Sequence, residues 1–367
     1  MKADSMDTKQ SYGEGQKIRF GVIGAGWFAS RRHIPDIMKH PQAELVALCR
    51  RDRAPLERLT AHFGVKNGFT DWQEMLDTVA LDAVVIATPH SMHYEPARAA
   101  LERNLHVLLE KPMTVVPAEA WKLVRLAHRK KRVLAVALNP PYWAHCHYIR
   151  DAIRNNLIGK LESISIEWSG NADFVFSRAP MPENLPGVVP PTLFRGDPEM
   201  CGGGYLIDGG SHLISEVLWI TGRKPLAVNA QMDQFPSDRR SVLSIDLGDG
   251  LFVVITCIGD SAYPNRRVRN TFNGTSGVIT VDDFDFETTL HRPHVEDEVV
   301  TEAGLTPVEG PICNLISAML EKTEVCSLGE HGAWVTEVVS AAYRSARTGR
   351  TIHLHPPPIT KLSDWTG

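Results

Sequence analysis

The chain has 367 residues, 43% of them hydrophobic and 22% charged, and a formal net charge of -4. That length supports two domains with substantial cores. The charge excludes nucleic acid or an anionic membrane surface as the principal partner, and no apolar run approaches the length of a membrane-spanning helix. The six cysteines, Cys49, Cys146, Cys201, Cys257, Cys313 and Cys326, include no C-x-x-C pair, so reduced, mostly buried thiols are expected. Residues 1–16 read as a polar, disordered leader without an apolar signal core, and a cytoplasmic protein is expected.

Lys17–Ile23 reads as a buried strand, and Gly24, Gly26 and Ala29 after it spell G-x-G-x-x-A. The first glycine allows a tight turn, the second lets a pyrophosphate approach the backbone, and the small third residue lets helix pack on strand. Gly24, Gly26, Trp27 and Phe28, at the start of the following helix, are therefore candidate cofactor-binding residues. A second strand, Ala43–Cys49, ends in Arg50, Arg51 and Asp52. An acidic residue at this point holds the ribose 2′-hydroxyl of NAD, whereas arginine accommodates the 2′-phosphate of NADP. Arg50 and Arg51 favour NADP, and Asp52 keeps NAD open. Further strands are expected at Leu81–Thr88, Leu105–Glu110 and Val133–Asn139, with helical stretches between them. This alternation predicts a parallel, doubly wound sheet.

Beyond it the pattern changes. "LESISIEWSG" alternates Ile164, Ile166 and Trp168 with Ser163, Ser165 and Glu167, a half-buried strand. "SVLSIDLGDG" and "LFVVITCIGD" flank a D-G turn and predict a hairpin. A helix is expected from about Ser211 to Ile220, with Leu213, Val217 and Ile220 as its buried stripe. The stretch 178–198 is long and rich in proline, which excludes regular helix or central strand and suggests a lid or binding wall. His145-Cys146-His147 lack a third partner in the sequence, and no metal site is expected.

"ATPHSMHYEPARAAL", "LHVLLEKPMT" with its Glu110-Lys111-Pro112, and "FRGDPEMCGGGYLIDGGSHLISEVLWITG", together with the first glycine turn, resemble the glucose–fructose oxidoreductase / inositol dehydrogenase / rhizopine-catabolism (Gfo/Idh/MocA) family. The resemblance implies a Rossmann domain over residues 17–139. An α+β domain with a large open, mainly antiparallel sheet would follow over 140–367, the C-terminal segment packing back on the first. It implies an NAD(P)-dependent oxidoreductase that moves hydride between a secondary hydroxyl of a sugar, polyol or glycoside and the nicotinamide. Two alternatives stay open: a glycoside-cleaving enzyme that uses NAD for transient oxidation and elimination, and a non-catalytic dinucleotide sensor. A homo-oligomer, dimer or tetramer, paired through the open sheet is also implied.

Lys111, Asp208 and His212 match the family's catalytic trio. Removing a hydroxyl proton while hydride leaves the same carbon needs a base within reach and a cation beside the oxygen. His212 is expected as the base for oxidation and the acid for reduction, Asp208 to orient it or the hydroxyl, and Lys111 to bind the reacting oxygen and the cofactor ribose. Asp208 and His212, four apart, are expected on one helix face. Thr88, Pro89, His93, Glu110 and Lys111 are expected against the cofactor, with a cis peptide between Lys111 and Pro112. Asn139, Tyr142, Trp143 and Arg195 are expected to contact substrate, the two aromatic rings by stacking on a sugar. Where the family often carries an aromatic–arginine or asparagine–arginine element, this chain has "NPPYW".

Overall fold

The computed structural model describes residues 16–176, 187–263, 266–283 and 285–355. All of the expected leader but Gln16, and residues 178–186 of the proline-rich stretch, lie outside the described residues.

The chain begins with β1 (Ile18–Ile23), whose Ile18, Phe20 and Val22 are fully buried. The glycine turn leads into a helical run with a π-helical turn over Ala29–His33, then α1 (Ile34–Lys39). There follow β2 (Ala43–Cys49), α2 (Arg53–Phe63), β3 (Asn67–Phe69), α3 (Trp72–Thr78), β4 (Ala83–Ile86), α4 (Tyr94–Glu102), β5 (His106–Leu109), α5 (Pro117–Lys130) and β6 (Leu134–Val136). These six strands form one parallel sheet in the order β3-β2-β1-β4-β5-β6. β4 and β5 have every residue buried, as strands covered on both faces require.

The second half contributes α6 (Ala144–Arg154), β7 (Leu161–Ser169), the short α7 (Pro198–Cys201), α8 (Ser211–Thr221), β8 (Ala227–Met232), β9 (Arg240–Asp246), β10 (Phe252–Ile258), β11 (Arg267–Gly274), β12 (Gly277–Asp282), β13 (Glu287–His291), β14 (Glu298–Val300), α9 (Pro311–Met319), α10 (Gly329–Thr348) and β15 (Ile352–His353). Among the described residues, nine strands form its sheet in the order β14-β13-β12-β11-β7-β10-β9-β8-β15. Every pairing is antiparallel except β10 with β7. Burial along β9 alternates strictly between exposed and buried residues, so one face of the sheet is covered and the other open. α8 lies on the covered face, where Asn270 of β11 donates to Glu216 of α8 at 2.8 Å. The helix is buried almost all round, from Ser211 to Ile220 with only His212 partly exposed, rather than along the single stripe expected.

The two halves are sewn together by the C-terminal segment. The Val136 N–H of β6 donates to the Ser327 carbonyl at 2.9 Å, and Ala135 bridges to Leu328. α10 lies against both α5 and β8. Trp121 of α5 donates to Glu337 of α10 at 3.0 Å and meets Trp334 edge-on.

Candidate active site

The site lies past the carboxyl ends of β1, β4, β5 and β6, where an open parallel sheet leaves its ligand crevice. At the glycine turn, Gly24 has φ +81°, and a Cβ there would come within 2.6 Å of the Ala87 carbonyl carbon and the Thr88 nitrogen. Gly26 is different: a Cβ would meet only the Arg50 guanidinium and the Gly24 oxygen, both at 3.7 Å. Bare backbone is thus required at Gly24 by conformation and contact, while Gly26 leaves an approach open. Ala29 is fully buried under the helix. The turn fits the pyrophosphate of a dinucleotide.

Arg50 lies across this turn. Its guanidinium donates to the Ala25 carbonyl at 3.2 Å and to Asp52 at 3.1 Å, and its Nε has no partner among the described residues. Arg51 is exposed and does not line the cavity.

A cavity of about 430 Å³ opens from the turn into the second half of the chain. Lys111 enters it directly after β5, through a cis peptide with Pro112. Its ammonium donates to the Asp208 carbonyl at 2.7 Å and to Asp208 Oδ1 at 3.0 Å. Arg195, from a 3₁₀ turn over Leu193–Gly196, donates to the same oxygen at 2.8 Å. His90 Nε2 stands 3.5 Å from it. Burial alone would raise the carboxyl's pKa, but Arg195 and Lys111, with His90, hold it well below the ordinary value of 3.8. Asp208 is therefore a fixed anion that locks two cations in place.

Asp208 sits in a π-helical turn over Leu206–Gly210 that runs into α8, rather than in the helix itself. Such turns recur at functional sites. The run is held from behind by Asp238, which accepts from the Gly204 and Leu206 N–H groups at 3.2 and 2.8 Å and from the Tyr343 hydroxyl at 2.6 Å. Gly204 must be glycine, because a Cβ would lie 2.1 Å from the Asp238 carbonyl oxygen.

His212, in the first turn of α8, lines the cavity. Its Nδ1 accepts from the Asn139 backbone N–H at 3.3 Å. Burial, with the Lys111 charge second, lowers its pKa well below 6.5. The ring is thus neutral at pH 7 and, with Nδ1 accepting, carries its proton on Nε2.

The cavity gathers Gly26, Trp27, Phe28, Thr88, Pro89, Glu110, Lys111, Asn139, Trp143, Arg195, Asp208 and His212. Glu110 is further tied to His33 at 2.7 Å and accepts from the Lys111 N–H at 3.1 Å. Five expected residues are absent from the lining: Gly24, Arg50 and Arg51 at and beside the glycine turn, and His93 and Tyr142 deeper in the wall. His93 is fully buried behind the wall, its ring nitrogens 2.8 and 2.9 Å from the Pro112 and Thr88 carbonyls. It braces the two loops that carry Lys111 and Thr88. Tyr142 ends a 3₁₀ turn over Pro140–Tyr142 that carries it into the core, whereas the next residue, Trp143, is extended and reaches the cavity.

Sequence reasoning missed His90, three residues before His93. Its Nδ1–H donates to the Cys201 carbonyl at 2.9 Å, and burial lowers its pKa well below 6.5. It also missed Trp168, Phe174, Tyr205 and Arg266, which complete an aromatic and cationic wall. Trp143 and Trp168 stack at 5.9 Å, and the Arg266 guanidinium lies 4.8 Å over the Trp168 ring.

Residues 18–138 match the model of an oxidoreductase family with an NAD-binding Rossmann fold, and residues 146–280 match the GFO/IDH/MocA C-terminal domain. The chain is 30% identical to a dTDP-3,4-didehydro-2,6-dideoxy-alpha-D-glucose 3-reductase of Streptomyces antibioticus, over 76% of this chain and 80% of that one. It is 24% identical to the D-glucoside 3-dehydrogenase of Escherichia coli K12, over 92% and 97%. Among solved structures, a levoglucosan dehydrogenase in complex with NADH and levoglucosan superposes with a TM-score of 0.79 at 19% identity, over 92% and 99% of the two chains. The glycine turn, the two-sheet architecture and these matches lead to one conclusion: the chain belongs to the Gfo/Idh/MocA family of NAD-binding Rossmann-fold oxidoreductases.

Proposed function

We propose that the protein is an NAD(P)-dependent dehydrogenase acting on a ring secondary hydroxyl of a sugar or glycoside, with NADP the preferred cofactor. The observation that carries this reading is the convergence of Lys111 and Arg195 on the Asp208 anion, in one cavity that also holds His212 and receives the glycine turn. Trp143, Trp168 and Phe174 on its wall suit the C–H face of a pyranose. Two relatives, the 3-reductase and the glucoside 3-dehydrogenase, are both named for position 3 of a hexose, which supports C3 as the reacting carbon. NADP preference rests on Arg50 beside the turn.

The nicotinamide, when bound, supplies or takes the hydride. The remaining work falls to side chains. An ammonium has three N–H donors. Lys111 spends its two observed bonds on Asp208, fixing the direction of the third toward a substrate oxygen. Its charge stabilises that oxygen as alkoxide character develops. Asp208 is too acidic to take the proton and instead orients both cations. His212, neutral with Nε2–H, is set to hydrogen-bond a substrate oxygen; delivering a proton in reduction calls for the imidazolium, whose Nδ1–H would displace the Asn139 N–H. Oxidation needs the Nε2 proton moved first, at the cost of the Asn139 contact.

The open face of the nine-stranded sheet supports a homo-oligomer. Phe252 is 75% exposed there, beside Val242 and Val254 at 46% and 42%, an apolar patch of the kind that marks association surfaces.

The test is product mass spectrometry on a panel of sugars, polyols and glycosides, with NAD and NADP in separate reactions. A product lighter by two hydrogens, matched by reduced cofactor, is expected. A cleaved glycoside with no net cofactor reduction would overturn the reading.

A further inference from the structure

We propose that His145, Cys146 and Glu216 form a closed structural site for a divalent transition ion, zinc-like in its ligand preference, behind the aromatic wall of the cavity. In sequence, His145 and Cys146 have no third partner; the fold supplies it from α8. Ligand atoms of the three residues lie within 4.8 Å of one another, and the residues are 5%, 0% and 0% exposed. His147, the other histidine of the motif, is engaged elsewhere, its Nε2 bonded to the Pro141 carbonyl at 2.9 Å.

Three observations bear on an ion. His145 Nε2 and Cys146 Sγ are 3.4 Å apart. A tetrahedral zinc with Zn–N of about 2.0 Å and Zn–S of about 2.3 Å spaces those atoms by roughly 3.5 Å. Bringing a Glu216 oxygen to the same spacing takes a movement of about 1.5 Å at most, within a rotamer adjustment. Second, Glu216 Oε2 and Asn270 Oδ1 are buried acceptors with no hydrogen-bond partner among the described residues. An unpartnered buried polar atom is costly, and a cation held by Glu216 would relieve it there. Asn270 already orients the carboxylate through its 2.8 Å bond to Oε1, the arrangement expected of an outer partner, and a water would complete the tetrahedron. Third, the charges balance: one thiolate and one carboxylate neutralise a divalent ion in a buried site. Burial raises the Glu216 carboxyl to about 8, so at neutral pH binding displaces its proton as well as the thiol proton to solvent.

His145, sulfur and carboxylate are a borderline donor set that suits zinc and excludes magnesium or calcium. The burial closes the site to substrate, so its effect is mechanical. It would pin α6 to α8 one turn beyond His212, and fix the His145 ring that stacks on Trp143 at 5.5 Å and on Phe286 at 4.5 Å.

The full-length protein, supplied with zinc sulfate and dialysed, is analysed for bound metal by mass spectrometry. About one zinc per chain is expected in the wild type and in His147→Gln, with at least a tenfold loss of affinity in Cys146→Ser and Glu216→Gln. Less than about a tenth of a zinc per chain in the wild type overturns the proposal and leaves the three residues as a hydrogen-bonded network around water. Should the variants fail to fold, cobalt(II) titration of the wild type decides: a thiolate-to-cobalt charge-transfer band supports the site, and its absence overturns it. None of these readouts depends on the proposed dehydrogenase activity.

Discussion

Replacing Asp208 by asparagine keeps the shape of the side chain and deletes its charge. Lys111, Arg195 and Asp208 have side chains only 12%, 13% and 11% exposed. The variant therefore strands two nearly buried cations, and removing one partner of a buried ion cluster costs about 3–5 kcal/mol. Urea unfolding followed by tryptophan fluorescence reads this loss directly. The double variant Asp208→Asn/Arg195→Met removes one stranded charge together with the anion, so it should be more stable than the two single losses summed, by about 1–3 kcal/mol. Activity should fall about 100-fold or more in the single variant, because Lys111 keeps its bond to the backbone carbonyl but loses its counter-charge and the charge-assisted bond to the carboxylate. The acid limb of stability should change too. The Asp208 pKa is depressed in the folded state, so its contribution is complete above the ordinary value of 3.8 and is lost only as pH falls through the lower folded value. The asparagine variant should lack that limb. A single variant within about 0.5 kcal/mol of wild type, or strictly additive losses in the double, would refute the idea that Asp208 acts as the lock on these cations.

Gly24→Ala forces a side chain into a left-handed turn and against the Ala87–Thr88 backbone; calorimetric titration should show cofactor affinity reduced at least tenfold, with the fold retained by circular dichroism. Arg50→Ala should weaken NADP at least tenfold and NAD little, and equal effects on both would remove the 2′-phosphate reading. Burial, with Arg132 second, lowers the His106 pKa from 6.5 to about 4. The buried neutral ring thus contributes fully above 6.5 and progressively less as pH falls toward 4. Urea unfolding at pH 5 should show a loss of about 2 kcal/mol relative to pH 7.5 that His106→Asn largely abolishes. Phe252→Glu should shift the sedimentation coefficient toward monomer, and an unchanged value would place any oligomer interface elsewhere.

The parallel sheet was legible because its strands are buried on both faces. "AVVI" and "HVLL" have no surface to display, so composition alone reveals them. The hairpin around Asp249-Gly250 was legible from its turn, since β9 and β10 pair in register on either side of it. The parallel pairing of β10 with β7 was not: strands distant in sequence carry no local mark of their neighbour. The choice between His90 and His93 was also hidden. Both sit in "PHSMH", and a 3₁₀ turn over His90–Met92 decides which ring faces the cavity. The aromatic wall draws on Trp143, Trp168, Phe174 and Tyr205, which alternation or local packing explains equally well until the second sheet brings them together. α8 hid its surroundings for a related reason. Its charged Glu216 suggests a wet face, yet the helix is enclosed and the carboxylate is received by Asn270 from another layer.

The bridge from Leu328 to β6, and α10 lying on α5, bear on how the molecule is made. A chain emerging from the ribosome delivers all six parallel strands long before the residues that cover the outermost of them. Gly329 and Gly332 are shaped for that late arrival, since a Cβ on either would press into Leu134 or Val136 at 2.9 or 2.6 Å. Until α10 appears, the edge of the first sheet stands open to other nascent chains. The strand that carries the dinucleotide turn is synthesised well before α10 covers the edge of its sheet. Premature termination within α10 should therefore be felt at the glycine turn's own sheet, far from the missing residues in sequence.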